Sequence, residues 1–195
     1  MKKLSICLFL IFFSLSASSY ADNIQDFEIE GITIGGSLLD YMSEEEIKEN
    51  VGYIYPDKKF TISVYKKFSE IYNWGVGVDY KWNDKTYKIH GVQGRIRYAN
   101  NIEGCYKKQD EIEKKISSMF TETKKDNWGI LKLHLKGEAA EESTYKPITY
   151  DFNDGATLMI NCYYYHDDPP HMLKISMTSK ELSEFVTSPA EPANN

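Results

Sequence analysis

Two cysteines constrain this chain more than any other pair of residues. Cys105 falls with Ile102, Ile112, Ile116 and Met119 on one face of a predicted helix. Cys162 shares one face of a predicted strand with Leu158, Ile160 and Tyr164. Both therefore point into the core from different elements, and an oxidising compartment would join them. A bridge closing so long a loop contributes about 4 kcal/mol in the chain-entropy model. The alternative is two buried free thiols. A redox pair is not indicated, because the chain has no Cys-x-x-Cys.

The first residues predict that compartment. Lys2 and Lys3 precede an apolar run from Leu4 to Leu15, and Ser19-Tyr20-Ala21 has the small-x-small form of a cleavage site. The run is too short to span a bilayer. Cys7 comes too early, after Leu4-Ser5-Ile6, to be an acylation site. Cleavage between Ala21 and Asp22 would give an exported chain, periplasmic or secreted, with no stable membrane anchor. Two lysines and no acid leave with the leader, so the net charge goes from −6 to −8. An acidic exported chain is a poor partner for nucleic acid, which rewards clustered Lys and Arg.

The mature chain opens with a predicted strand, Phe27–Ile34, then Gly35-Gly36, then a helix, Ser37–Asn50. Ser37 with Asp40, and Ser43 with Glu46, both have the spacing of a capping box, so the helix restarts or kinks at Ser43. Leu38, Leu39, Met42, Ile47 and Val51 form its apolar stripe. Backbone N–H groups at Gly35, Gly36 and Ser37 are candidates for holding an anion. The plainer reading is a capped strand-to-helix turn. There is no P-loop Lys, and Glu44, Glu45 and Glu46 would repel an anion.

Alternation then predicts strands over Gly52–Tyr55, Lys59–Lys66, Val76–Trp82 and Tyr87–Tyr98. The apolar phase changes from odd to even positions between Ile89 and Val92, which predicts a β-bulge near Gly91. Asn100 or Asn101 caps a long helix, Ile102–Thr121, whose outer face carries Glu103–Lys107, Asp110–Lys114 and Glu111–Lys115 pairs. Strands follow over Trp128–Leu135, Pro147–Phe152, Ala156–Tyr165 and Met172–Thr178, and a short helix over Lys180–Val186. Gly137–Thr144 is an acidic loop, and Asp154-Gly155 is the sharpest hairpin signal in the chain.

The class is α+β, an antiparallel β-sheet packed by two main helices, since helices and hairpins are segregated. The expected organisation is a signal peptide over 1–21, one domain over 22–186, and a disordered tail over 187–195 rich in Pro, Ala and Asn. Two similar helix-then-strands halves, 26–98 and 101–186, are a further expectation.

Phe27-Glu28-Ile29-Glu30-Gly31-Ile32-Thr33-Ile34-Gly35-Gly36-Ser37-Leu38-Leu39-Asp40 resembles the opening of a family of small exported proteins of unknown function from marine bacteria. That family looks similar along most of the mature chain, including Cys105-Tyr106-Lys107-Lys108. The resemblance implies a family with no assigned activity and so carries over no catalytic residue. The helix-then-hairpins plan is also similar to that of outer-membrane assembly lipoproteins of the BamE type and of β-lactamase-inhibitor proteins. The chain departs from the former in having no acylated cysteine.

Motifs of chemistry are missing. There is no Gly-x-Ser-x-Gly, His-Glu-x-x-His or Walker A loop, and Gly75-Val76-Gly77 lacks the third glycine of a dinucleotide fingerprint. No cofactor is implied. His166, Asp167, Asp168 and His171 are metal-ligand types, but their spacing fits no standard motif, and Pro169-Pro170 makes a turn the simpler cause. His90 and His134 stand alone in predicted strands and read as structural or surface residues. Asp79, Asp151, Asp154 and Glu181 form no selected carboxylate pair. Tyr163 and Tyr165 share the face opposite Cys162 with Met159 and Asn161. If uncovered, that face is an aromatic platform. The chain's richness in Lys, Asn and Ile offers AT-rich coding as another source of the tyrosines.

The reading leans to a non-enzymatic binding or interaction module with a protein, peptide or glycan ligand in the cell envelope. The alternative is a hydrolase or metal-dependent enzyme whose site assembles only in the fold. Expressed with its leader in a bacterium with two membranes, the protein should be recovered from the periplasm or medium with Asp22 as its first residue. N-terminal sequencing checks this; a retained Met1 would refute it.

Overall fold

The computed structural model describes residues 23–55, 57–65, 70–133, 142–166 and 170–187. The leader, Pro56, His134, Asp167, Asp168, Pro169 and residues 188–195 lie outside them, as does most of the predicted acidic loop.

Among the described residues, nine antiparallel strands form one sheet, with three α-helices, so the α+β class is dominated by sheet. Strands β1 (Val51–Ile54), β2 (Phe60–Tyr65), β3 (Val76–Lys81) and β4 (Ile89–Tyr98) form a first meander. Strands β5 (Lys124–Asn127), β6 (Leu131–Lys132), β7 (Thr144–Asp151), β8 (Thr157–Tyr164) and β9 (His171–Thr178) form a second. The sheet order is β1-β2-β3-β4-β9-β8-β7-β5, with β6 also paired to β7. Each meander thus ends at the sheet centre, where Gly91–Tyr98 pair with His171–Thr178.

Local chemistry explains the tight turns. The β7–β8 hairpin closes through Asn153, Asp154 and Gly155, with Gly155 at φ 85° and its N–H donating to Phe152 O. A three-residue loop needs that left-handed position, which glycine adopts at least cost. The predicted bulge is present: Asp79 pairs with Gly91 but Tyr80 pairs with Ile89, leaving His90 as the extra residue.

Helix α2 (Ile102–Met119) begins at Asn101, whose Oδ1 accepts the Gly104 N–H at 2.8 Å. It packs across β8, β9 and β4. Cys105 and Cys162 are both fully buried and joined by a disulfide. One turn on, fully buried Gln109 donates through Nε2 to Lys146 O at 2.6 Å and Ile160 O at 2.8 Å. Ile116 completes the buried stripe, with Val92, Leu158, Ile160, Leu173 and Met177 across from the helix. Met119, expected on this face, is exposed. The expected partners of Asp110 and Glu111 also differ: Asp110 reaches Lys146, and Glu111 pairs with Lys108, both at 3.2 Å.

Three predicted elements are corrected. Phe27–Ile34 is not a strand: Ile29 and Ile32 exchange two 3.0 Å hydrogen bonds around Glu30 and Gly31, both at positive φ. That is a tight turn of the I′ type, and it reverses the chain. Ser37–Asn50 is not one helix. A single 3-10 turn (Leu38–Asp40) precedes α1 (Glu44–Glu49), which starts at the Ser43–Glu46 capping box. Of the predicted strand Trp128–Leu135, only Leu131–Lys132 (β6) is strand among the described residues; residues 128–130 are the break that follows β5. Pro147 has no N–H to give, and its carbonyl accepts from Trp128, so the missing donor faces the break. The closing helix, α3 (Lys180–Thr187), runs one residue past the expected end.

Unfolded, non-reduced mature protein should titrate no free thiol, and reduction should lower its stability by about 4 kcal/mol in urea unfolding. Two titratable thiols before reduction would refute the bridge.

Candidate functional site

Strand alternation gives the sheet two faces. The near face carries Cys162 and packs under α2. The far face is built from the other parity. In register across it lie Arg95, Lys174 and Asn161, and beside them Gln93, Ser176 and Met159. Helix α3 covers one end. Phe185 meets Phe60 at a tilt and Tyr55 edge-on, at 5.1 and 5.5 Å between ring centroids, and Leu182 sits over Gly91.

A buried polar row runs through this face. Asp79 is 3% exposed, accepts from Tyr55 OH at 3.1 Å and from Gln93 Nε2 at 3.4 Å, and lies near Arg95 and Lys174. Burial pushes its carboxyl up to about 6, against the pull of those hydrogen bonds and cations. Burial also lowers the Arg95 pKa. Asn161 donates to Tyr163 OH at 3.2 Å. Arg95 Nε and Nη2, Asn161 Oδ1 and Ser176 Oγ are all buried with no hydrogen-bond partner. Native interiors rarely leave such atoms unpaired, so four in one neighbourhood require an explanation.

Aromatic side chains flank the row. Tyr145, Tyr163 and Tyr165 stack nearly parallel, with centroids 5.9 and 6.1 Å apart. The Lys174 ammonium lies 5.4 Å from the Tyr163 centroid, and Arg97 lies 6.0 Å from Trp74. Trp128 is 58% exposed and leans on Thr149 through Nε1 at 3.4 Å. The predicted Tyr163–Tyr165 face therefore exists with both rings half-buried, and Tyr145 and Trp128 extend it.

The other candidates assemble differently. Gly35 N–H donates to Ile89 O, Leu38 N–H to Tyr87 O, and Leu39 N–H to Ser37 Oγ. Ser37 Oγ itself donates to Thr86 O at 2.7 Å. These donors are engaged within the chain, three of them tying the segment to Thr86, Tyr87 and Ile89. His166 Nε2 pairs with Glu142 at 3.1 Å, while the His171 Nδ1 accepts the Tyr165 N–H at 3.4 Å. Among the described residues, no group of three or more His, Cys, Asp and Glu side chains is placed to hold a metal ion. Asp167 and Asp168 lie outside the described residues.

One arrangement escaped sequence reasoning. His90, on the bulge, is buried, and its Nδ1 lies 3.1 Å from Ser179 Oγ and 3.8 Å from Glu181. They line a cleft of about 230 Å³ with Lys88 and Asp154. Burial lowers the His90 pKa. Ser179 Oγ also accepts the Leu182 N–H at 3.4 Å, as a helix cap does. Glu181 approaches the same ring nitrogen as the serine and is held by Lys81 at 2.9 Å. A relay needs the carboxylate on the opposite nitrogen, so the capping role accounts for this geometry better. The bulge was the one legible signal of it; Ser179 is 89 residues away.

No family model, no curated protein and no solved structure matches the chain.

The Asp79 carboxyl predicts a pH effect. Between pH ~4 and ~6 the folded chain holds a proton that the unfolded chain has released, so stability falls as pH rises through that window and levels above it. A rise from 3.8 to about 6 corresponds to on the order of 3 kcal/mol. Asp79→Asn should gain on wild type by up to that amount between pH ~4 and ~7 in urea unfolding. A pH-independent difference would refute the assignment.

Proposed function

We propose that this is an exported protein, periplasmic or secreted, that works by binding a protein, peptide or glycan ligand of the cell envelope on the far face of its sheet, without catalysis. One observation carries the reading: half-exposed stacked tyrosines border a row of buried polar groups with unused hydrogen-bonding capacity. Aromatic rings with polar handles supply contact area at low entropic cost, and unpaired donors and acceptors supply specificity. The buried disulfide supports export. Among the described residues, no helix is long and apolar enough to cross a membrane.

The two meanders support two similar halves, 26–98 and 101–186, each preceded by a helix and each ending at the sheet centre. This plan is similar to that of β-lactamase-inhibitor proteins, an analogy of architecture that leaves function to the site. The His90–Ser179 contact favours a second reading, a hydrolase. A fluorophosphonate probe separates the two, since an activated Ser179 would be labelled and a helix cap would not.

Wild-type protein immobilised in envelope extract should capture a partner. Tyr145→Ala/Tyr163→Ala should lower affinity for it at least tenfold, a loss of about 1.4 kcal/mol. Lys114→Ala, on the outer face of α2, should leave it unchanged. Equal capture by all three proteins would refute far-face binding.

A further inference from the structure

We infer that the far face takes an acidic polypeptide segment, with a carboxylate seated at Arg95 and Lys174; this rests on the binding reading above. The charge balance supports the anion. Arg95, Arg97 and Lys174 share one face of β4 and β9 in adjacent register on a chain of net charge −6. The carboxylate in their row is Asp79, and it is buried under Tyr55 and Gln93 rather than bonded to any of the three. Arg95 keeps Nε and Nη2 unpaired, the two donors of a guanidinium edge that a carboxylate can meet bidentately. Lys174 lies over the Tyr163 ring and near the Asp79 carboxyl, which Tyr55 and Gln93 hold. A carboxylate brought here enters a half-desolvated cationic site, where its charge is screened less than at an open surface.

The rest of the row selects polypeptide over sugar. Asn161 Oδ1 and Ser176 Oγ are unpaired, and a backbone N–H can donate to either, though these atoms alone would serve a hydroxyl donor equally. Tyr163 is stacked with Tyr145 and Tyr165 and its hydroxyl is taken by Asn161, so it offers no open ring face, whereas a sugar ring packs on one. The Arg95 edge is buried, so seating a carboxylate requires the long, flexible Arg95 and Lys174 side chains to turn toward solvent.

Nuclear magnetic resonance of the full mature chain tests this with a ten-residue peptide of alternating glutamate and glycine, and its glutamine counterpart. The glutamate peptide should shift the Arg95 Nε–H signal and the Asn161, Tyr163 and Lys174 amides saturably. The glutamine peptide should bind at least tenfold more weakly, and Lys174→Gln should weaken the glutamate peptide several-fold, with amide shifts in the free variant confined to the neighbours of residue 174. Equal binding of the two peptides, or binding of neither, overturns the inference. If both bind equally and both are lost in Tyr145→Ala/Tyr163→Ala, far-face binding stands and the anionic preference fails. Tighter binding of tetragalacturonate at the same signals makes the ligand an acidic glycan. Shifts that grow with protein concentration alone make the occupant a second copy. Either result overturns the acidic-peptide assignment.

Discussion

Eight consecutive residue pairs join β4 to β9, and everything else is hung on that ladder. Among the described strands it is the sole pairing between the first meander and the second. Its register decides both faces together. It places Val92 and Ile96 beside Met177 and Leu173 under α2, and in the same stroke sets Arg95 beside Lys174 on the far side. A slip by one residue would turn each of these side chains to the wrong face. The bulge at His90 belongs to the same constraint. It lets Ile89 return to the near face, and it turns His90 toward Ser179 and α3.

Helix α2 holds the other side of this frame. Cys105 ties it to β8 covalently, and Gln109 reaches two strand carbonyls one turn further on. A glutamine at a core position is an odd choice if apolar burial is the sole criterion. Here its amide donors fix where the helix lies along β7 and β8, which leucine would not do, because dispersion contacts have no direction. Its Oε1 remains unpaired, so the positional gain carries a cost in stability. Disulfide, glutamine and Ile116, spaced along one stripe, fasten the helix to the near face at three levels.

Much of this was legible in sequence because it depends on period alone. The Asp154-Gly155 hairpin, the long helix, the bulge and the inward cysteines all follow from phase and turn chemistry. So does the shared face of Tyr163 and Tyr165, a matter of parity. Phe27–Ile34 misled because Glu30-Gly31 sits inside an alternating run, and alternation persists in a hairpin folded back on itself. Trp128–Leu135 misled because the cause of its break, Pro147, lies on the partner strand. The polar row was out of reach for the same reason. Asp79, Arg95, Ser176 and Asn161 come from four strands, and only register makes them neighbours. In sequence Asp79 is one carboxylate among many, and Arg95 and Ser176 carry no local signal.

That row argues about purpose as well as place. Each buried polar atom left unpaired costs roughly 1–3 kcal/mol, and an unpaired guanidinium edge costs more. Replacing Asn161 and Ser176 by Val, and Asp79 by Leu, would suit a sheet face that α3 only partly covers if stability were the sole demand. The near face shows that this chain can build such a surface, with isoleucine, leucine and valine in depth. The two faces come from the same strands, so composition bias cannot make one apolar and the other polar and unpaired. A difference sorted strand by strand, residue by residue, is what results when the two faces answer different requirements: one to hold the helix and one to meet something from outside.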